Sequence, residues 1–296
     1  MNFRIEILMT TYNGEEFLRE QLDSIIRQSY KNWNLKIRDD FSNDNTLKIL
    51  SEYCEKESRI QIIEDDKGNL GIVKNFEELL KYSDAEFVMF ADQDDIWLDN
   101  KIEEFHKVII ESDYDKEEMV LIHSDSYVYF NNKVIRDFIG KKALKKGIRN
   151  YFFEYIVQGS STMVNRKIID ASMPFLDEVY LHDRYFHILA ELFGKRYYIP
   201  TPLINYRQHE KNQIGSGKSI FYNIFHKRYF FNKDRKLIEK ILHVYSTDIN
   251  KNNKKLIMDY LGITNTNFSH LKRLHILRKS GIYMNFKKKF SLLFRG

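Results

Sequence analysis

Short apolar runs alternate with helical stripes through residues 1–100, and that alternation leaves few folds open. Residues 4–10 read as a buried strand around Ile5, Ile7 and Leu8. Residues 15–29 read as a helix with Leu18, Leu22, Ile25 and Ile26 on one stripe. Residues 35–38 form a second strand, and the helix after it carries Leu47, Leu50, Tyr53 and Cys54 at helical spacing. A third strand over 59–63, a turn at Gly68-Asn69-Leu70-Gly71, a helix over 72–82 and a fourth strand over 86–91 complete the series. Strands separated by helices of this length predict an α/β fold with a parallel sheet. Ligands of such sheets collect outside the carboxyl ends of the strands. Three polar clusters, residues 10–13, 39–44 and 92–95, fall at those ends.

The second half is less regular. Residues 100–112 read as a helix, 119–124 as a strand, and 127–135 as a hairpin arm around Asn131-Asn132. A strand over 162–164 follows Gln158-Gly159-Ser160-Ser161, where Gly159 would let a substrate approach the backbone and a plain turn is the alternative. Residues 182–193 form an amphipathic helix closed by Gly194. Residues 196–199 and 203–206 read as two strands flanking Pro200-Thr201-Pro202, and the chain beyond Ser216 is helical and basic.

Charge is unevenly spread. Residues 211–296 hold 19 Lys/Arg against 4 Asp/Glu, a net +15, whereas residues 1–210 hold 28 against 38, a net −10. A basic tail on an acidic body calls for an anionic partner surface, membrane or nucleic acid. The bulky apolar residues mixed into the tail, among them Phe221, Tyr222, Phe225, Tyr229, Phe230, Leu271, Leu274, Ile276 and Leu277, favour a membrane face, and no nucleic-acid module is recognisable. No apolar run reaches the length of a membrane span, and the N-terminus is too short and wrongly flanked for a secretory signal. The single cysteine, Cys54, excludes an internal disulfide and sits at an apolar helical position. These features point to a cytoplasmic protein, peripheral at the inner face of the membrane.

The polar clusters carry chemistry of a definite kind. Asp92-Gln93-Asp94 follows a strand directly, and two carboxylates there suit a hard divalent cation, Mg²⁺ or Mn²⁺. A solvated acidic loop is the plain alternative. Asp39-Asp40 offers an acceptor for the imide N–H of a pyrimidine base, or a turn with a helix cap from Ser42 to Asp44. Thr10-Thr11-Tyr12-Asn13 offers hydroxyls and an aromatic face for a base and ribose, or a polar strand-to-helix turn.

The order of these pieces resembles the inverting glycosyltransferases of family 2, which have the GT-A fold. The matching motifs are Met9-Thr10-Thr11-Tyr12-Asn13, Asp39-Asp40-Phe41-Ser42-Asn43-Asp44-Asn45-Thr46 and Asp92-Gln93-Asp94-Asp95-Ile96-Trp97. Leu181-His182-Asp183-Arg184 looks like the family's later acidic motif. The run from Tyr206-Arg207-Gln208-His209 to Gly215 looks like the closing motif of its rhamnosyltransferase-like branch. The resemblance covers residues 3–215. It implies that Thr10, Thr11, Tyr12, Asn13 and Asp40 hold the nucleoside, and that Asp92 touches ribose or metal. It further implies Asp94 as principal metal ligand, His209 and Arg207 at the metal-bound diphosphate, and Asp183 as general base. Gly159, Ser160, His182 and Arg184 would lie near the acceptor or the diphosphate. Two positions depart from the common pattern: His182 stands where many relatives have Glu, and Arg184 where the branch often has an aromatic residue.

The resemblance implies a mostly parallel GT-A sheet flanked by helices over residues 1–215. Its nucleotide-sugar half would span about 1–100 and its acceptor half about 101–215, with a basic helical extension over 216–296. It also implies transfer from a nucleotide-diphosphate sugar, dTDP-rhamnose or a UDP-hexose, to a glycan or lipid-linked glycan, with oligomeric state open. A nucleotidyltransferase would need a Gly- and Lys/Arg-rich phosphate loop, and residues 10–16 hold one glycine and no basic residue. A catalytically inactive sugar-nucleotide binder is opposed by the chemically competent residues in all five motifs.

Overall fold

The structure, a computed structural model, describes residues 3–140, 147–150, 152, 156–209 and 220–284, with backbone alone for 149 and 220–231. The first half follows the periodicity: β1 (Ile5–Thr11), α1 (Leu18–Ile26), β2 (Trp33–Asp39), α2 (Thr46–Lys56), β3 (Ile60–Ile62), α3 (Gly71–Leu80) and β4 (Phe87–Ala91). All seven residues of β1 are buried, because β1 lies between β2 and β4, parallel to both, with Ile5 opposite Trp33 and Phe87. Its side chains alternate between two apolar cores, Leu8 into one and Ile5, Ile7 and Met9 into the other.

The second half contributes β5 (Ile96–Trp97), α4 (Lys101–Glu111), β6 (Met119–Phe130), β7 (Lys133–Asp137), β8 (Thr162–Asn165), α5 (Arg166–Ser172), α6 (His182–Phe193) and β9 (Gly194–Arg207). The strand order is β3-β2-β1-β4-β8-β6-β9-β5, with β7 on the flank of β6. Parallel pairing holds from β3 to β4. Beyond it β8 runs antiparallel to both β4 and β6, so the sheet is mixed.

One local reading changes for a physical reason, and a second holds for a reason of its own. The strands expected on either side of Pro200-Thr201-Pro202 are one strand, β9. Its register against β6 jumps from Ser124↔Ile199 to Asp125↔Pro202, and the skipped pair absorbs a proline that has no N–H to donate. Gly194 closes α6 as its C-cap, in extended backbone and not in a left-handed turn. A Cβ there would fall 2.0 Å from the Met119 carbonyl oxygen, so glycine is required by the close approach of β6 and β9.

The C-terminal region forms α7 (Ile220–Val244), α8 (Lys251–Ile263) and α9 (His270–Ser280). Leu237, Ile238, Ile241, Ile257, Tyr260 and Leu277 share one core with Leu189 and Phe186 of α6. Asp234 anchors the contact. It pairs with Arg184 at 2.8 Å and accepts from the Tyr260 hydroxyl at 2.7 Å and the Tyr180 hydroxyl at 3.2 Å. Of the second apolar cluster expected in the tail, Leu277 is buried and Leu271 is 80% exposed. The side chains of Phe221, Tyr222, Phe225, Tyr229 and Phe230, and residues 286–295, lie outside the described residues. Among the described residues no helix is long and apolar enough to cross a membrane.

Candidate active site

The ends of β1 and β2 are stitched together by their own polar side chains. Thr11 Oγ1 donates to Asp39 Oδ1 at 2.7 Å, and Asp39 also accepts from the Ser42 backbone N–H at 2.7 Å. Asn13, at φ 47°, accepts from the Asn43 N–H and donates its own N–H to Ser42 Oγ, both at 2.8 Å. Asp44 accepts from the N–H groups of Thr46 and Glu15 at 2.9 and 3.1 Å, serving the start of α2. Asp40 is buried at the N-terminus of α3, where it accepts from the Leu70 and Gly71 N–H groups at 2.7 and 2.8 Å and from Arg38 at 3.0 Å. That position suits a carboxylate, since it meets unpaired helix N–H groups and the positive end of the helix dipole. Thr10 is buried beside this turn, while the rings of Tyr12 and Phe41 are 45% and 67% exposed.

Gln93, the residue between the two aspartates, ties this turn to the next. Its amide accepts from the Tyr12 N–H at 2.8 Å and donates to the Tyr12 carbonyl at 3.0 Å. The fit depends on Gly14, because a Cβ there would sit 2.4 Å from Gln93 Oε1.

Asp92, Asp94 and Asp95 crowd together at the end of β4. Burial, then Asp94, then Asp183 push the Asp92 carboxyl up to about 7. Burial and the neighbouring Asp94 and Asp92 push the fully buried Asp95 well above the usual carboxylate range. Asp95 Oδ1 accepts from the Arg207 N–H at 3.0 Å, and Oδ2 has no hydrogen-bond partner among the described residues. Asp94 Oδ2 lies 2.8 Å from His209 Nε2. The Arg207 guanidinium brackets the turn. It donates to the Asp94 carbonyl and to Glu20, both at 2.8 Å, and lies 4.6 Å from the centre of the Phe17 ring.

The opposite wall is α6 with the 3-10 turn Gly159–Ser161. Asp183, half-buried in the first turn of α6, accepts from the Gly159 N–H at 3.0 Å and the Arg184 N–H at 2.6 Å. Burial lifts its carboxyl to about 6 against those two hydrogen bonds. His182 is boxed by Phe76 and Phe90, with ring centres 4.3 and 5.0 Å away, and burial lowers it to about 3, so the ring is neutral at physiological pH. A Cβ on Gly159 would meet His182 Nε2 at 2.8 Å, so the glycine seats the turn against α6. Arg184 turns away from the crevice to Asp234 and to the Phe152 carbonyl at 3.0 Å.

Lys101 joins the two walls, and the motif reading passed over it. It is fully buried at the start of α4, with Nζ 3.5 Å from the centre of the Trp97 ring and donating to the Ser160 carbonyl. Burial pushes its amine well below the ordinary lysine range, against the pull of Asp95 and Asp92. A lysine at the positive end of a helix is misplaced as an ordinary surface charge, and that misplacement was the available signal.

A divalent cation fits this chemistry. Asp92 and Asp94 are hard oxygen donors, His209 adds a nitrogen, and a bound dication would offset the burial and the mutual repulsion that raise Asp92 and Asp95. Among the described residues no three Asp, Glu, His or Cys side chains converge to hold an ion by themselves. The remaining ligands would therefore come from a diphosphate and water, as suits Mg²⁺ or Mn²⁺.

The model of the family described as glycosyl transferase family 2 matches residues 6–171. A dTDP-rhamnosyl transferase of Shigella flexneri is 31% identical over 86% of this chain and 90% of its own. A UDP-Glc:alpha-D-GlcNAc-diphosphoundecaprenol beta-1,3-glucosyltransferase of Escherichia coli is 27% identical over 48% of this chain and 53% of its own. In fold, the chain is similar to TarS residues 1–349 of S. aureus, solved with UDP-GlcNAc. That likeness has a TM-score of 0.65 and 16% identity, over 98% of this chain and 84% of that one. It is also similar to a mannosyltransferase of Pyrobaculum calidifontis solved with GDP-Man and Mn2+, with a TM-score of 0.62 and 13% identity, over 99% of this chain and 79% of that one. The chain belongs to glycosyl transferase family 2, with the GT-A fold, and is a glycosyltransferase that acts on sugar-nucleotide donors.

Proposed function

We propose that the enzyme is metal-dependent and inverting. It transfers rhamnose from dTDP-rhamnose, or a hexose from a UDP-sugar, to a glycan or lipid-linked glycan during cell-surface polysaccharide synthesis. The carrying observation is that His182, next to Asp183, packs with its ring centre 5.0 Å from that of Phe90, two residues before Asp92 on β4, so the two acidic centres border one crevice. Inversion needs that arrangement, with the leaving diphosphate on one wall and a base on the other. Thr10, Tyr12 and Asp40 hold the nucleoside, in a cradle shaped by Thr11 and Asn13. Asp92, Asp94 and His209 hold the cation, which supplies charge neutralisation for the leaving diphosphate. Arg207 braces that turn and lends its charge to the diphosphate side. Asp183 takes the acceptor hydroxyl proton while the hydroxyl oxygen bonds to the anomeric carbon and the bond to the diphosphate oxygen breaks. Its elevated affinity for protons makes it a better base than an exposed aspartate. Gly159 and Ser160 border the acceptor path, with the neutral His182 behind them.

The dTDP-rhamnosyl relative covers most of the chain, which supports dTDP-rhamnose as first donor. The undecaprenyl-linked acceptor of the second relative supports a lipid-linked acceptor, which the basic C-terminal region would meet at the inner membrane face. The test is a thermal-shift panel of dTDP-rhamnose, UDP-glucose, UDP-GlcNAc and GDP-mannose with Mn²⁺ or EDTA. The anomeric configuration of the transferred sugar is then read by NMR. Stabilisation by a dTDP- or UDP-sugar only with metal, and an inverted product, are expected. A retained configuration or full turnover in EDTA would overturn the reading.

A further inference from the structure

We propose that Asp234 and Tyr260, on the C-terminal helices α7 and α8, are positioning residues that hold the turn bearing Asp183, so that the C-terminal region is part of the active site. The inference rests on the role proposed above for Asp183. Residues on both sides of Asp183 in the chain converge on Asp234. It accepts from Arg184 Nε at 2.8 Å and Nη2 at 3.1 Å, one bond to each carboxylate oxygen, and from the Tyr180 hydroxyl at 3.2 Å. Tyr260 completes the socket. Its hydroxyl donates to Asp234 at 2.7 Å, and its ring stacks on Phe152 with centres 4.7 Å apart. The Phe152 carbonyl accepts from Arg184 at 3.0 Å, which closes the circuit. Arg184, Asp234, Tyr260 and Phe152 are all buried.

A buried ion pair adds little to stability compared with apolar packing, so docking α7 and α8 on the sheet does not explain this one. What a forked guanidinium–carboxylate pair adds is direction. It fixes the rotation of the first turn of α6, where the Arg184 N–H donates to Asp183 at 2.6 Å. The other donor to Asp183, the Gly159 N–H at 3.0 Å, belongs to a turn seated against His182 of the same helix end. A rotation of α6 therefore moves the base and both of its donors relative to the donor-side wall. A misplacement of about 1 Å costs about 10²-fold in rate.

The experiment compares the full-length wild type with Asp234→Asn, Tyr260→Phe and the double variant Arg184→Met with Asp234→Asn. The double variant removes both buried charges together and leaves an oxygen for Tyr260. Melting is followed by calorimetry, and kcat and donor KM by nucleoside diphosphate release from dTDP-rhamnose or UDP-glucose, whichever stabilises the wild type. Amide hydrogen exchange at residues 157–161 and 181–185, which needs no acceptor, reports the turn directly. Asp234→Asn should lose about 10²-fold in kcat, with donor KM within about twofold of wild type and faster exchange at both segments. Tyr260→Phe, lacking one hydrogen bond, should lose about fivefold. The double variant should regain most of the melting temperature lost in Asp234→Asn while kcat stays low and exchange stays fast. Recovery of kcat together with melting temperature, wild-type exchange at both segments, or wild-type kcat in Tyr260→Phe would overturn the proposal and leave Asp234 as an anchor of the fold. Should Asp234→Asn fail to fold, the double variant and Tyr260→Phe make the same comparison. Asp183→Asn runs alongside. Normal turnover there would overturn the base itself, whereas an inactive Asp183→Asn beside fully active Asp234 and Tyr260 variants removes only the positioning.

Discussion

Replacing Asp183 by Asn should make the protein more stable and nearly inactive. The carboxyl is held at about 6 against an ordinary value of 3.8, so the folded state binds its proton more tightly than the unfolded state does. Stability therefore falls as pH rises from 3.8 towards 6, and the full penalty is present above about 6. At 1.36 kcal/mol per pH unit the ionised carboxylate costs the fold about 3 kcal/mol at pH 7.5. Asparagine carries no charge, but its NH₂ cannot accept from both backbone N–H groups that now point at the carboxylate, a loss of about 1 kcal/mol. The net gain is about 2 kcal/mol. With an unfolding entropy of about 2.1 cal/mol/K per residue, that is about 3 °C in Tm for a chain of this size.

The pH dependence makes the reasoning refutable. At pH 5 the folded carboxyl is mostly protonated and the unfolded one mostly ionised, so the advantage of the variant should shrink by more than half. Donor binding should persist while turnover drops by about 10²–10⁴-fold, the usual range for losing a general base. Wild-type turnover should itself fall as the pH drops below about 6, where the base becomes protonated. Calorimetric melting at pH 7.5 and pH 5, with nucleoside diphosphate release measured in parallel, covers each point. A variant less stable than wild type at pH 7.5, a stability gap independent of pH, or preserved turnover would refute the argument.

Asp94→Ala should abolish Mn²⁺-dependent stabilisation by the donor and leave the melting temperature without ligand within about 2 °C of wild type, since Asp94 supports the fold chiefly through its backbone carbonyl. Gly194→Ala should cost about 3 kcal/mol or more, about 5 °C in Tm, because two paired backbones must part to admit the Cβ; a change under 1 °C would sink that account. Asp234→Ala should cost about 3–5 kcal/mol by leaving Arg184 buried without its counter-ion, read as an early-melting enzyme with normal donor affinity. The protein should co-sediment with anionic liposomes at low salt and less at high salt, and deleting residues 285–296, which hold Lys287, Lys288, Lys289 and Arg295, should weaken binding further; equal recovery with neutral and anionic liposomes would exclude membrane docking. Cutting at residue 270 would confuse that last test, because Arg273, Leu277 and Ile282 are buried.

The first four strands were legible because each is a parallel strand with an apolar run, set off from the next by an amphipathic helix, although β4 pairs with β1 and not with β3. Ile5, Ile7, Leu35 and Val88 announce such strands by composition alone. The insertion of β8 between β4 and β6 has no local signature, since Met163 and Val164 would read the same in either direction. Pro200 looked like a break because a proline cannot join a ladder. Its cost here is only a register jump in β9, which no local pattern reveals.

The site divides along the same line. Its acidic residues stand next to one another in the chain and at strand or helix ends, so Asp92, Asp94 and Asp183 could be picked out as candidates. What holds them apart and in place comes from distant segments. Gln93 reaches Tyr12, Arg207 reaches Glu20, Arg184 reaches Asp234, and Lys101 reaches Ser160. Each of these looks like an ordinary surface residue in the sequence, and each is polar or charged where the fold buries it or ties it down. A polar residue without a local reason to be buried is therefore the better guide to how such a crevice is built. By that measure Lys101, a lysine at the N-terminal end of its helix with no exposure, is the least accidental of them.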